Sequence, residues 1–222
     1  MLIADYRRRM LLGALVNFVQ IFTGLMAIVS YSTSILTQVG LSPALSQFST
    51  ALGSVFALLS SFPIIWLIDL EGRRKMLLWS LAALDVVLFG FVILGTLVER
   101  GLGGTTPGIL FILACIIFIC AYNTGPGPIA YFISGELAPG PCRRSFLALG
   151  VSVNWLSTMV STFAFYPLDQ ALGSVSFLLF AIPSTLATLL LYFFLPETKP
   201  KALKEGLKTS LMSFARMNPR YT

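Results

Sequence analysis

Long apolar runs separated by short polar loops organise this chain. Six of them reach the roughly 20 residues needed to cross a bilayer as a helix. They cover about Met10–Leu36, Ala44–Ile68, Met76–Val98, Pro107–Ile133, Phe146–Tyr166 and Gly173–Leu195. The pattern predicts an all-α membrane protein, with a six-helix bundle over 1–195 and a basic tail over 196–222. In that tail Leu203, Leu207 and Leu211 recur at i, i+4, i+8. The spacing fits a short amphipathic helix on the membrane surface, and a frayed tail fits equally well.

The fourth run carries an interruption, Asn123-Thr124-Gly125-Pro126-Gly127-Pro128-Ile129. Pro126 and Pro128 have no N–H, so the carbonyls of Tyr122 and Thr124 are expected to lose their helical partners. In hydrocarbon, such carbonyls are tolerated where they are buried in protein or face a watery cavity. Gly125, Pro126, Gly127 and Pro128 are therefore predicted to form a hinge or the wall of a transport path.

Composition agrees with the pattern. Of the 222 residues 56% are hydrophobic and 11% charged, too apolar a balance for a soluble domain. There is no histidine, which removes Ser–His and Cys–His catalysis and the commonest metal ligand. No catalytic residue, metal site or cofactor is expected, and no paired acids lie within the runs, so the sequence does not read as an enzyme. Cys115, Cys120 and Cys142 suggest no disulfide framework. The net charge of +6 does not form a nucleic-acid face, because it is divided among the loops. One side collects Arg7–Arg9, Arg73, Arg74, Lys75, Arg143, Arg144 and the tail, 14 of the 15 Lys and Arg, while the other holds only Arg100. The positive-inside rule then places both termini in the cytoplasm. Six spans also divide into two triplets that enter the membrane from opposite sides, the topology of an inverted repeat.

Several stretches, in this order and spacing, resemble the facilitative sugar transporters of the major facilitator superfamily. They are Gly24 with Tyr31-Ser32-Thr33-Ser34-Ile35, Asp69-Leu70-Glu71-Gly72-Arg73-Arg74, Gly125-Pro126-Gly127-Pro128-Ile129, Glu136 with Arg143, Asn154-Trp155, and Pro196-Glu197-Thr198-Lys199. The resemblance covers nearly the whole chain but only the second half of such a transporter, spans seven to twelve of twelve. It implies a missing N-terminal six-helix half, a fragment or truncated product, and location in the plasma membrane.

The resemblance also implies a sugar site and a gate. Gln20, Asn154 and Trp155 align with sugar contacts of the family. Tyr131 stands where the family has a tryptophan, and Asn123 where it has a glutamate. An interhelical hydrogen bond, worth about 1 kcal/mol, is the plainer role for Gln20 and Asn154. Asp69, Gly72, Arg73, Arg74, Glu136, Arg143 and Glu197 would form a cytoplasmic gate whose ion pairs break on opening. The arginines would otherwise set topology and meet lipid headgroups. Three polar family positions fall here on Ile21, Met26 and Ala57, which points to lost hydroxyl recognition. Asp85 lies about 14 Å into the third run at ~1.5 Å per residue. It is a candidate proton site or, alternatively, a hydrogen-bonded carboxyl at a helix interface.

Together these features imply a hexose-like sugar transporter, or part of one, working by alternating access. The alternatives are a degenerate non-transporting relative and a carrier of another small solute. An antibody against the tail after Pro196 is expected to detect native protein in membranes at about twice 24.2 kDa, as a two-half carrier requires. A single band at the mass of this chain would oppose that expectation.

Overall fold

The computed structural model describes residues 2–26, 28–29, 36–37, 42–62, 72–102, 106–138 and 142–196, with side chains from Arg7 onward. The helices are α1 (Leu2–Phe22), α2 (Pro43–Ser61), α3 (Arg73–Glu99), α4 (Thr106–Thr124), α5 (Pro126–Leu137), α6 (Arg143–Leu172) and α7 (Leu178–Phe194). A 3-10 turn over Gly173–Phe177 joins α6 to α7. No strand occurs among the described residues. The tail after Pro196, and with it the amphipathic stripe, lies outside them.

Four helical stretches are long and apolar enough to cross a membrane: Pro43–Ser61, Arg73–Glu99, Thr106–Leu137 and Arg143–Phe194. The chain is thus an integral membrane protein. The last stretch has 52 residues, enough for two crossings at ~1.5 Å per residue and ~30 Å of hydrocarbon.

The helix ends follow local rules. Ser42 caps α2 by accepting from the Leu45 N–H, and Pro43 occupies the first turn, where a missing N–H does no harm. Gly72 precedes α3 with φ +89°, a conformation that favours glycine. The fifth run was expected to end at Tyr166. Instead α6 continues through Pro167 to Leu172. Within a span, a proline costs one ladder bond but need not end the helix, because neighbouring groups re-satisfy the backbone.

Two helices are broken. The expected break at Gly125 divides α4 from α5, and Pro126 and Pro128 sit in the first turn of α5, where their missing N–H groups would be unpaired anyway. The Tyr122 carbonyl, expected to lose its partner, accepts from the Gly125 N–H at 3.3 Å. The second break was not anticipated. α1 stops at Phe22, and Gly24 turns with φ +85° against the Phe180 ring before helical geometry resumes at Leu25.

The core lies between α3, α4, α6 and α7. Phe91, Phe111, Phe118, Phe165, Phe177 and Phe180 are all fully buried. Successive ring centroids stand 4.9–6.3 Å apart in tilted pairs, within the range of favourable aromatic contact. α1 packs on α5, α6 and α7, α3 packs on α4 and α7, and α2 packs chiefly on α4. Glycines permit close approach. A Cβ on Gly125 would overlap the Ser80 side chain, and one on Gly95 would overlap Ser174, as small residues allow in membrane helix packing.

Phe91→Ala is expected to destabilise the fold by about 3–5 kcal/mol, the usual cost of emptying an aromatic core position. Trp79→Ala, at a side chain 78% exposed, should stay within about 0.5 kcal/mol. Thermal unfolding in detergent would compare them, and equal losses would disprove the assignment of the core.

Candidate functional site

A polar seam runs where α1, α5 and α6 meet. Asn17 and Gln20 on α1, and Thr23 just past its end, recur every three residues and so lie along one side. Gln20 is 1% exposed and Asn154 on α6 is 4% exposed. The Asn154 amide donates to Gln20 Oε1 at 2.7 Å, and Gln20 Nε2 donates to the Gly127 carbonyl at 3.0 Å. The Thr23 hydroxyl donates to the Gln20 carbonyl at 2.7 Å. Gln20 thus ties together three helices and both breaks. Tyr122, nearly buried, faces Gln20 and Tyr131. Tyr131 and Trp155 are 50% and 69% exposed.

One turn before Gln20, Asn17 forms a second junction. Its amide donates to the Gly13 carbonyl at 2.9 Å and to Ser134 Oγ at 2.7 Å. Gly150 on α6 closes the space, since a Cβ there would lie 2.9 Å from Asn17 Nδ2. Sequence reasoning singled out Gln20 and passed over Asn17, Tyr122 and Ser134. The three-residue repeat on α1 was the signal for Asn17. Nothing local marked Ser134.

Asn123 belongs elsewhere. Its amide donates to the Ala57 carbonyl at 3.3 Å and to Ser60 Oγ at 3.4 Å, so it bridges α4 to α2. It borders a cavity of about 310 Å³ between these helices and the residues after the α1 break. The described hydrogen bonds do not link this group to Gln20.

Part of the expected gate comes together at one end of the bundle. Arg73, opening α3, pairs with Glu136 near the end of α5 at 3.0 Å, with 16% and 24% of their side chains exposed. Both charges oppose the dipole of their own helix end, so the pair neutralises two local penalties across a tertiary contact. Arg74 donates to the Tyr192 carbonyl at 2.7 Å, near the end of α7. The Arg143 guanidinium lies beside Gly135, where an added Cβ would stand 3.4 Å from Nε. Arg8 stands over the Phe194 ring at 5.8 Å. Asp69 and Glu197 lie outside the described residues, as does Tyr31. At the opposite end Glu99, exposed, accepts from both the N–H and the hydroxyl of Ser174 at 2.7 Å and so caps the 3-10 turn.

Asp85 on α3 is 7% exposed and accepts from the fully buried Ser184 hydroxyl of α7. No group of three or more potential metal ligands occurs among the described residues.

Arg73→Ala and Glu136→Ala are each expected to lower stability. Their double-mutant cycle should give a coupling of about 1 kcal/mol, the upper range for partly exposed pairs. Additive losses in detergent unfolding would show that the 3.0 Å contact carries no energy.

Comparison with known proteins identifies the family of the chain. Residues 1–207 match the family described as sugar (and other) transporter. A facilitated glucose transporter homolog of Caenorhabditis elegans is 29% identical over 91% of this chain and 40% of its own length. A D-xylose-proton symporter-like protein of Arabidopsis thaliana is 32% identical over 87% and 37%. The galactose-proton symporter of Escherichia coli strain K12 is 28% identical over 94% and 45%. The crystal structure of a D-xylose-proton symporter superposes with a TM-score of 0.73 at 22% identity, over 86% of this chain and 43% of that one. The chain therefore spans about two fifths of the length of these relatives. It shares its fold with that symporter, and by the family match across nearly its full length this chain belongs to the sugar (and other) transporter family.

Proposed function

We propose that this chain forms the C-terminal, substrate-contacting half of a sugar transporter that works by alternating access. Its six spans form two inverted triplets, both termini face the cytoplasm, and the plasma membrane is its site. The observation that carries the reading is the Gln20 bridge. Gln20 lies at a helix break and bonds to the second break at Gly127 and to Asn154. Breaks in the first helix of each triplet, with polar groups between them, support a binding site at the repeat interface. Tyr131 and Trp155 then offer aromatic faces from the adjoining surface. Gly125–Pro128 is the hinge. Asp69, Arg73, Arg74, Glu136, Arg143 and Glu197, with Gly72 as the turn residue, form the cytoplasmic gate, of which Arg73–Glu136 is the closed pair. A preceding six-helix half completes the path. Asp85, bonded to Ser184 between α3 and α7, serves as an interface carboxyl rather than as the coupling site.

The burial of Gln20 and Asn154 favours a second reading, in which the two serve only as an interhelical hydrogen bond worth about 1 kcal/mol. Uptake of radiolabelled D-glucose and D-xylose into vesicles carrying the native protein separates the two. Gln20→Ala and Asn154→Ala are each expected to raise the KM for sugar at least about tenfold, the effect of losing one hydroxyl partner of ~1.4 kcal/mol. The double variant should do little worse, because the two groups bond each other. Lower stability with unchanged KM would leave only the structural role.

A further inference from the structure

Two arginines from different helices converge on the last turn of α7. The Arg8 guanidinium of α1 stands over the Phe194 ring at 5.8 Å. Arg74, at the start of α3, donates through Nη2 to the Tyr192 carbonyl at 2.7 Å. Its Nε is buried and has no hydrogen-bond partner. Neither arginine forms an ion pair among the described residues, where the Glu136 carboxylate is taken by Arg73. The carbonyls that end α7 attract cations. They carry about half an elementary charge, against two full guanidinium charges. Positive charge is therefore left over at this corner.

The surface around it has the character of a membrane boundary. Tyr192, Phe193 and Phe194 are all exposed, and the Tyr192 and Phe193 rings meet edge to face at 5.3 Å. Exposed rings at the end of a span sit at the level of lipid headgroups. The first turn of α3 holds no acidic residue, and no side chain caps it. The positive end of that helix dipole adds to the charge of Arg74.

The planar guanidinium fork matches the oxygens of a phosphate, and the exposed rings suit the acyl chains that a lipid phosphate carries. We infer that Arg8, Arg74 and the end of α7 form a binding site for one anionic phospholipid. Its phosphate accepts from the two guanidiniums, and its chains lie along the aromatic side chains of α7. The site is narrower than the general positive charge of this end, because Arg144, exposed at the start of α6, has no part in it. The assignment goes beyond sugar transport and does not depend on it.

The probes are phosphatidylglycerol and phosphatidylcholine, which share a phosphodiester and differ in net charge. Lipids bound to the full chain in detergent would be counted by native mass spectrometry while the two compete. One phosphatidylglycerol per chain is expected to be held in preference to phosphatidylcholine. Arg8→Gln should weaken that binding about fivefold, the contribution of one basic residue at an anionic surface, and Arg74→Gln at least as much. Arg8 is exposed, so its variant tests the site without disturbing the packing of α7. Arg144→Gln removes the same charge from another helix and should leave the binding unchanged. Excess inorganic phosphate should not displace the lipid, because it brings no acyl chain. The absence of a preference for phosphatidylglycerol would overturn the inference, as would unchanged binding in Arg8→Gln. Equal weakening by Arg8→Gln and Arg144→Gln would replace the site with a diffuse charge effect. Displacement by inorganic phosphate would make it an anion site instead of a lipid site.

Discussion

The structure depends on how two broken helices satisfy their polar groups inside a bilayer. A break exposes backbone carbonyls and amides that hydrocarbon cannot solvate. Gln20 resolves much of this with one side chain. Its nitrogen serves the Gly127 carbonyl just past the α4–α5 break. Its own carbonyl takes the Thr23 hydroxyl at the α1 break, and its amide oxygen takes Asn154. Each bond is worth only about 1 kcal/mol in a membrane. Their value lies in the alternative, since an unmet polar group in hydrocarbon costs several times more. The same arrangement gives α1, α5 and α6 one shared register.

Around that seam the packing is steric. Gly13 and Gly150 bring α1, α5 and α6 close enough for Asn17 to reach Ser134, and Gly125 admits Ser80 of α3 against the break. The phenylalanine cluster fills the space between α3, α4, α6 and α7, and its Phe180 ring packs against Gly24 at the α1 break.

The charged end follows a different logic. Arg73 at a helix start and Glu136 at a helix end are both poorly placed for their own helices. Their loops put them on one membrane face, and the tertiary fold brings them to 3.0 Å. Arg74 and Arg8 reach the end of α7 from two other helices. Four helix termini are thus tied by contacts that water and salt can weaken, whereas the seam deeper in the bundle is shielded from both.

The sequence by itself determined the membrane class, the positions of most helices, the break at Gly125 and the side on which the cations gather. These properties are local. Twenty apolar residues partition into a bilayer whatever their neighbours do, and a Pro-Gly-Pro run interrupts a helix on its own account. The polar repeat of Asn17, Gln20 and Thr23 was present in the sequence, but only Gln20 was singled out from it. Only the tertiary structure decided that Gln20 bonds to Gly127 and Asn154, that Asn123 turns to α2, and that Asn17 finds Ser134. Those partners lie 66 to 134 residues apart in the chain. The break at Gly24 was also left to tertiary structure, because an isolated glycine in an apolar run is compatible with an intact helix. Its positive φ is held by the Phe180 ring packed against it, a contact made across more than 150 residues of chain. Local free energy selects the helices. Packing across the bundle selects which of their few polar groups meet, because inside hydrocarbon each must find its partner on another helix.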